Sequence, residues 1–216
     1  MINSPARLDT ALLPLAPVDQ LVEDVARQGW AVAPDWLPIN LAVNLAQEVR
    51  ALEAWRSAAV GRGAAERRDL HIRSDQIHWL DGVSPAQHGF LGLMEHLRLA
   101  FNRALFLGLF DFESHFARYP VGARYRRHVD AFRGRGNRRL SVVCYLNPEW
   151  PADGGGELVI HAPEAPRPVL PQLGTIACFL SESTVHEVLP ARMMRYSLTG
   201  WFRINASTHG RVDPDR

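Results

Sequence analysis

Apolar positions in the first half of the chain recur at helical spacing. Leu21, Val22 and Val25 lay a stripe along residues 18–28, and Gly29 follows as a stop, leaving 30–32 as a short strand. From Ile39, the residues Leu41, Leu45, Val49 and Leu52 fall at steps of four, four and three, which predicts a one-sided helix ending near Trp55 with Pro38 at its start. Leu93, Leu97, Phe101 and Leu105 repeat the stripe over 85–109 and predict a third helix packed on a sheet. Between these helices, residues 57–68 turn to Ala, Gly and Arg without periodicity and predict a mobile surface loop. After Phe110 the pattern changes to short runs at 140–146, 157–161, 174–180 and 195–204, each of strand length and rich in β-branched or aromatic residues. The connections 147–156 and 162–173 hold too much Pro and Gly for crossover helices, so the sheet should be mostly antiparallel. Helices first and short strands after predict an α+β chain, a sandwich or jelly roll braced by N-terminal helices.

Charge and composition narrow the chemistry. With 24 basic and 23 acidic side chains the net charge is +1, so no bulk attraction draws the chain to nucleic acid or an anionic membrane. Every one of the 24 cations is Arg, which excludes Schiff-base, pyridoxal-phosphate and P-loop lysine chemistry. The two cysteines, Cys144 and Cys178, sit inside apolar runs, which fits a reducing cytoplasm and leaves no disulfide framework or thiolate zinc site. No apolar stretch reaches membrane-spanning length, and residues 1–18 make a poor secretory signal, so no membrane association and a cytoplasmic location are expected.

His128-Val129-Asp130 sets an imidazole and a carboxylate two positions apart, on the same face if the segment is a strand. With nine His and twelve Asp, such a triplet also arises by chance as a surface ion pair. His186, 58 positions later at the end of a β run, supplies a second imidazole. Two imidazoles and one carboxylate leave three open positions on an octahedral ion, the arrangement of non-haem Fe(II) oxygenases. In the last run, Arg195, Ser197, Thr199 and Trp201 share one face, and Tyr196, Leu198, Phe202 and Ile204 the other. If the polar face lines a pocket, Arg195 needs an anion there, which a dicarboxylate would supply; otherwise the face is simply exposed.

Residues 119–202 resemble the catalytic core of the 2-oxoglutarate- and Fe(II)-dependent prolyl 4-hydroxylases, particularly the oxygen-sensing type and its bacterial relatives. The matching text is Tyr119-Pro120, Tyr125 to Asp130, Tyr145-Leu146-Asn147 with Trp150, Gly155-Gly156-Glu157-Leu158, His186-Glu187-Val188 with Pro190, and Arg195-Tyr196 with Trp201. Upstream, Ile72-Arg73-Ser74-Asp75 resembles a segment that usually reads Arg-Gly-Asp, so Ser74 departs from it. The approach to the first histidine, 121–124, is also shortened.

The resemblance implies a double-stranded β-helix in which His128, Asp130 and His186 hold Fe(II), and Arg195 with the Tyr145 hydroxyl holds the distal carboxylate of 2-oxoglutarate. Val143, Leu158, Val188, Thr199 and Trp201 would line the co-substrate pocket, and Tyr119 would sit near its chelating end. Asp75 would pair with Arg138, and 57–68 would lie over the substrate. One domain is expected over 1–216, with 1–110 as helical support and substrate loop, 111–205 as the catalytic jelly roll and 206–216 as a tail. The implied reaction hydroxylates a prolyl residue in a protein, using molecular oxygen with ascorbate as auxiliary and releasing succinate and carbon dioxide. Elongation factor Tu is a candidate target. Alternatives are a free amino acid or other small-molecule substrate, an acidic partner drawn to the Arg-rich segment 132–139, and a non-catalytic metabolite- or metal-binding module. A nucleic-acid demethylase fits less well, because such enzymes usually carry a second Arg where Trp201 stands.

Overall fold

The computed structural model describes residues 16–58, 69, 71–131 and 137–205. Most of the expected loop over 57–68, part of the Arg-rich segment 132–139 and the tail 206–216 lie outside the described residues.

Three helices form where the stripes predict them: α1 (Ala16–Gln28), α2 (Ile39–Ala51) and α3 (Pro85–Leu105). In α3, the Ser84 hydroxyl caps the first turn by accepting from the Gln87 amide at 3.0 Å, and Pro85 occupies a position where no amide hydrogen is needed. Its buried face carries Phe90, Leu93, Met94, Leu97 and Phe101. The helix stops four residues before the expected Leu109. Phe106 turns left-handed at φ 51°, and the Asn102 amide both donates to the Leu109 carbonyl and accepts from its N–H, folding the chain back. α2 likewise ends at Ala51 rather than near Trp55, since Leu52 is already extended.

The strands are β1 (Trp30–Ala33), β2 (Arg56–Ser57), β3 (Gln76–Trp79), β4 (Asp111–Tyr119), β5 (Tyr125–His128), β6 (Arg138–Tyr145), β7 (Leu158–His161), β8 (Pro166–Val169), β9 (Ile176–Leu180), β10 (His186–Val188) and β11 (Arg195–Arg203). They form a seven-stranded sheet in the order β1-β9-β6-β11-β4-β3-β2 and a four-stranded sheet in the order β5-β10-β7-β8. All the strand pairs are antiparallel, as the Pro/Gly-rich connections require. The architecture is a jelly roll with helices on one outer face.

Strand alternation divides the interior in two. On β6, Leu140, Val142 and Cys144 join the core shared with α1, α2 and α3, whereas Val143 and Tyr145 face the smaller sheet. β11 splits in the same way: Leu198 and Phe202 pack toward the helices, and Arg195, Thr199 and Trp201 line the space between the sheets. At Gly200 a Cβ would come within 2.3 Å of the Phe112 ring, so only glycine lets that ring close over the strand.

Candidate active site

β5 and β10 are antiparallel neighbours, with His186 directly opposite His128. The two rings lie 4.2 Å apart between centroids. Asp130 arrives differently from the strand-face expectation: β5 ends at His128, and Asp130 sits on the bend beyond it. The amides of Asp130 and Ala131 both donate to the Ser181 carbonyl at 3.1 Å, which ties that bend to the end of β9. Asp130 Oδ1 thereby stands 3.5 Å from His128 Nε2 and 3.7 Å from His186 Nε2, and the three candidate donor atoms lie within 4.8 Å of one another.

The surrounding groups set the protonation of this cluster. His128 Nδ1 contacts the Arg126 carbonyl at 2.6 Å and His186 Nδ1 the Thr184 carbonyl at 3.0 Å. A carbonyl only accepts, so each Nδ1 carries the hydrogen and each Nε2 presents its lone pair. Asp130 Oδ2 accepts from Ser141 Oγ at 2.5 Å and from Trp201 Nε1 at 3.0 Å, which leaves Oδ1 bare toward the imidazoles. Burial alone would raise the Asp130 pKa, but His186, His128 and Ser141 outweigh it and hold the carboxyl well below its usual range. His186 is pushed down to about 4, chiefly by burial. Two imidazoles, one carboxylate and a buried Nε2 on His128 without a hydrogen bond form a donor set that a divalent ion satisfies. Tyr125 stacks on His128 at 3.5 Å and Phe179 packs against His186 at 4.5 Å, fixing both rings.

A second unsatisfied group lies at the start of β11. Arg195 is 1% exposed, has no carboxylate partner among the described residues, and is flanked by the rings of Tyr119 and Tyr145 at 4.6 and 5.0 Å. Its Nε and the Tyr145 hydroxyl are buried without hydrogen bonds. A buried guanidinium in this state is costly until an anion reaches it. Gly156 makes room for it: at φ +69° a Cβ there would lie 2.9 Å from Arg195 Cδ. Burial pushes the Tyr145 hydroxyl up to about 12, so it stays protonated and can donate. These orphan groups suit the free carboxylate of a dicarboxylate bound to the metal by its other end.

Both groups line one pocket that is open to solvent. Tyr119, Val143, Leu158, Val188, Thr199 and Trp201 all line it, together with His128, Asp130, His186 and Arg195, so the structure brings these sequence-derived candidates together. Tyr145 lies beside Arg195. The implied Asp75–Arg138 pair is corrected. Asp75 takes both oxygens' bonds from Arg73, at 2.7 and 2.9 Å, because Arg73 lies two positions away on the same segment. Arg138 instead pairs with Glu113 at 2.8 Å and covers the Trp201 ring at 3.5 Å. Sequence reasoning missed Ser141, Ser181 and Phe179. Ser141 was reachable from its strand: it shares the inward face of β6 with Val143 and Tyr145 and stands opposite Trp201.

Residues 114–203 match the 2OG-Fe(II) oxygenase superfamily. A solved Pseudomonas putida prolyl-4-hydroxylase is 42% identical, with a TM-score of 0.80, covering 88% of this chain and 100% of that one. The chain belongs to the prolyl 4-hydroxylase family of 2-oxoglutarate- and Fe(II)-dependent oxygenases. In fold it also matches a Trichoplax adhaerens prolyl hydroxylase solved with a hypoxia inducible factor peptide fragment, at 24% identity and TM-score 0.79, covering 91% and 96% of the two chains. Among sequences, Egl nine homolog 1 of Mus musculus is 29% identical over 197 residues, 86% of this chain and 49% of the relative. Prolyl hydroxylase EGLN3 of Homo sapiens is 31% identical over 142 residues, 61% and 59% of the two. The chain thus spans about half the length of the curated relatives it matches. Among the described residues, no helix of this family member is long and apolar enough to cross a membrane.

Proposed function

We propose that the chain is a 2-oxoglutarate- and Fe(II)-dependent dioxygenase that hydroxylates a prolyl residue in a protein and releases succinate and carbon dioxide. The observation that carries this reading is the meeting of two features in one pocket: His128, Asp130 and His186 with donor atoms within 4.8 Å of one another, and a buried arginine with no carboxylate partner among the described residues. Iron, when bound, supplies the redox chemistry that activates oxygen. The side chains supply placement. His128 and His186 offer Nε2 lone pairs, and Asp130 offers Oδ1 while Ser141 and Trp201 hold Oδ2. Arg195 and the Tyr145 hydroxyl fix the distal carboxylate of 2-oxoglutarate through charge-assisted hydrogen bonds. Val143, Leu158 and Val188 line the same pocket and would shield its methylenes from water. No side chain has to act as a general base.

The substrate is a polypeptide segment, with elongation factor Tu as the first protein to test. Ascorbate serves to keep the iron reduced. Two unpaired, buried cysteines support a cytoplasmic setting.

Purified protein with Fe(II), ascorbate and 2-oxoglutarate should release succinate faster when a target protein is added. A prolyl product heavier by one oxygen should accompany it. Succinate release stimulated only by a free amino acid would replace the protein substrate with a small molecule, and no release under any condition would leave a binding module.

A further inference from the structure

Arg195 is the first residue of β11, and a strand end is where backbone hydrogen bonds open most readily. On one flank its backbone pairs with Tyr119 of β4. On the other flank β6 stops at Tyr145, whose partner is Ser197, so no strand accompanies Tyr196 and Arg195 there. Past that point the Leu146 amide still reaches the Tyr196 carbonyl, at 3.2 Å.

A side chain takes the place of the missing strand. The Tyr196 N–H donates to Asn147 Oδ1 at 2.7 Å, and Asn147 Nδ2 donates to the Tyr196 carbonyl at 2.8 Å. The carboxamide thus offers Tyr196 the same acceptor and donor that a residue of a neighbouring strand would. Nδ2 also donates to the Pro171 carbonyl at 2.7 Å, which anchors the amide to the connection before β9. Asn147 is 2% exposed, and its own carbonyl accepts from the Leu173 N–H at 2.8 Å. Both hydrogens and the oxygen of the side chain are in use, so its orientation is fixed.

Tyr196 faces the helices and Arg195 the pocket, so holding the peptide groups of Tyr196 also sets the direction of the side chain beside it. From the helix side, Arg50 of α2 lies over the Tyr196 ring at 5.0 Å and donates to the Leu146 carbonyl at 3.1 Å. Without an anion, the buried guanidinium gains hydration if the strand end opens toward water. A carboxamide bonded to both the strand and the Pro171 connection opposes that opening, and it spares an incoming anion the cost of ordering its site.

We infer that Asn147 is a positioning residue for the co-substrate: by pinning Tyr196 it holds the Arg195 guanidinium ready for the distal carboxylate of 2-oxoglutarate. This rests on Arg195 being the group that receives that carboxylate.

The test compares two ligands on Co(II)-loaded protein by calorimetric titration: 2-oxoglutarate, and 2-oxobutyrate, which has the same keto-acid end and no distal carboxylate. Asn147→Ala should weaken 2-oxoglutarate binding by about tenfold, the size expected for coupling between neighbouring groups. Binding of 2-oxobutyrate, and of Co(II) itself by chelator competition, should stay within about twofold of the parent. A role in stability alone would leave 2-oxoglutarate bound as tightly as in the parent, or would weaken both ligands and the metal together; either result overturns the inference. Leu97→Ala, a buried position of α3 outside the pocket, is the control: it should lower the urea midpoint and keep the ratio of the two affinities. The same change of ratio there would likewise overturn the inference. A parent protein that binds the two ligands equally would remove the Arg195 reading itself, so the two failures are distinguishable. Should Asn147→Ala not fold, Asn147→Leu, which keeps the volume and removes the polar atoms, carries the same expectation.

Discussion

Arg195→Leu should weaken 2-oxoglutarate binding while leaving the ligand-free protein at least as stable as before. In the free protein the guanidinium is 1% exposed, with one hydrogen bond to the Ser197 hydroxyl at 3.3 Å and two tyrosine rings about it. Contact with those rings recovers roughly 1–2 kcal/mol each in a desolvated site, against a burial cost of several kcal/mol for the charge. Its removal should therefore be neutral, or stabilise by about 1–2 kcal/mol. In the proposed bound state the same group would make a forked contact with a carboxylate. Two charge-assisted hydrogen bonds at about 1.5–3 kcal/mol each give roughly 3–6 kcal/mol, a loss of about two to four powers of ten in affinity. Calorimetric titration of 2-oxoglutarate into Co(II)-loaded protein measures the first quantity, and urea unfolding of the metal-free protein the second. A 2-oxoglutarate affinity within about threefold of the parent would refute the assignment. So would a stability loss above about 3 kcal/mol, which would mean that the charge is already compensated by partners within the fold.

Other consequences follow from the same contacts. Ser141→Ala removes one of two donors to Asp130 Oδ2 and should weaken metal binding by about ten- to a hundredfold, measured by competitive titration with a chelator. Gly156→Ala forces a methyl group against Arg195 Cδ at a left-handed φ, so 2-oxoglutarate affinity should fall while metal affinity is unchanged. The metal-free protein should lose stability as the pH drops from 6.5 toward 4. In that window the unfolded chain protonates His186 and the folded protein, with its pKa pushed down to about 4, does not. One such histidine costs about 2 kcal/mol by pH 5, and urea midpoints at pH 7 and pH 5 that coincide would contradict it.

The site was more legible in the sequence than the sheet that carries it. Metal and anion chemistry demand rare residue types in a set order, so His128, Asp130, His186 and Arg195 stand out without knowledge of the strands. The helices were legible because α1, α2 and α3 bury plain apolar stripes; only their C-terminal ends, set by Phe106 and Leu52, were not. β4 escaped notice for a physical reason. Its inward face carries Glu113 and His115 where a half-buried strand should show apolar residues. The pairs Arg138–Glu113, Arg203–Glu113 and Arg203–Asp111 satisfy the charge there. β8 reads Pro-Arg-Pro-Val, and Pro is tolerated in a sheet only at an edge, which is where β8 lies. The partner of Asp75 was missed because two arginines were eligible, and side-chain reach across a fold is not written in sequence spacing.

The central claim is that His128 Nε2, His186 Nε2 and Asp130 Oδ1 bind one ion with open positions facing Arg195. Anomalous diffraction from crystals grown with Fe(II) and 2-oxoglutarate under exclusion of oxygen tests it directly. The account predicts one strong peak among those three atoms, with the co-substrate spanning from the ion to the Arg195 guanidinium. A metal bound elsewhere, or 2-oxoglutarate seated away from Arg195, would contradict it.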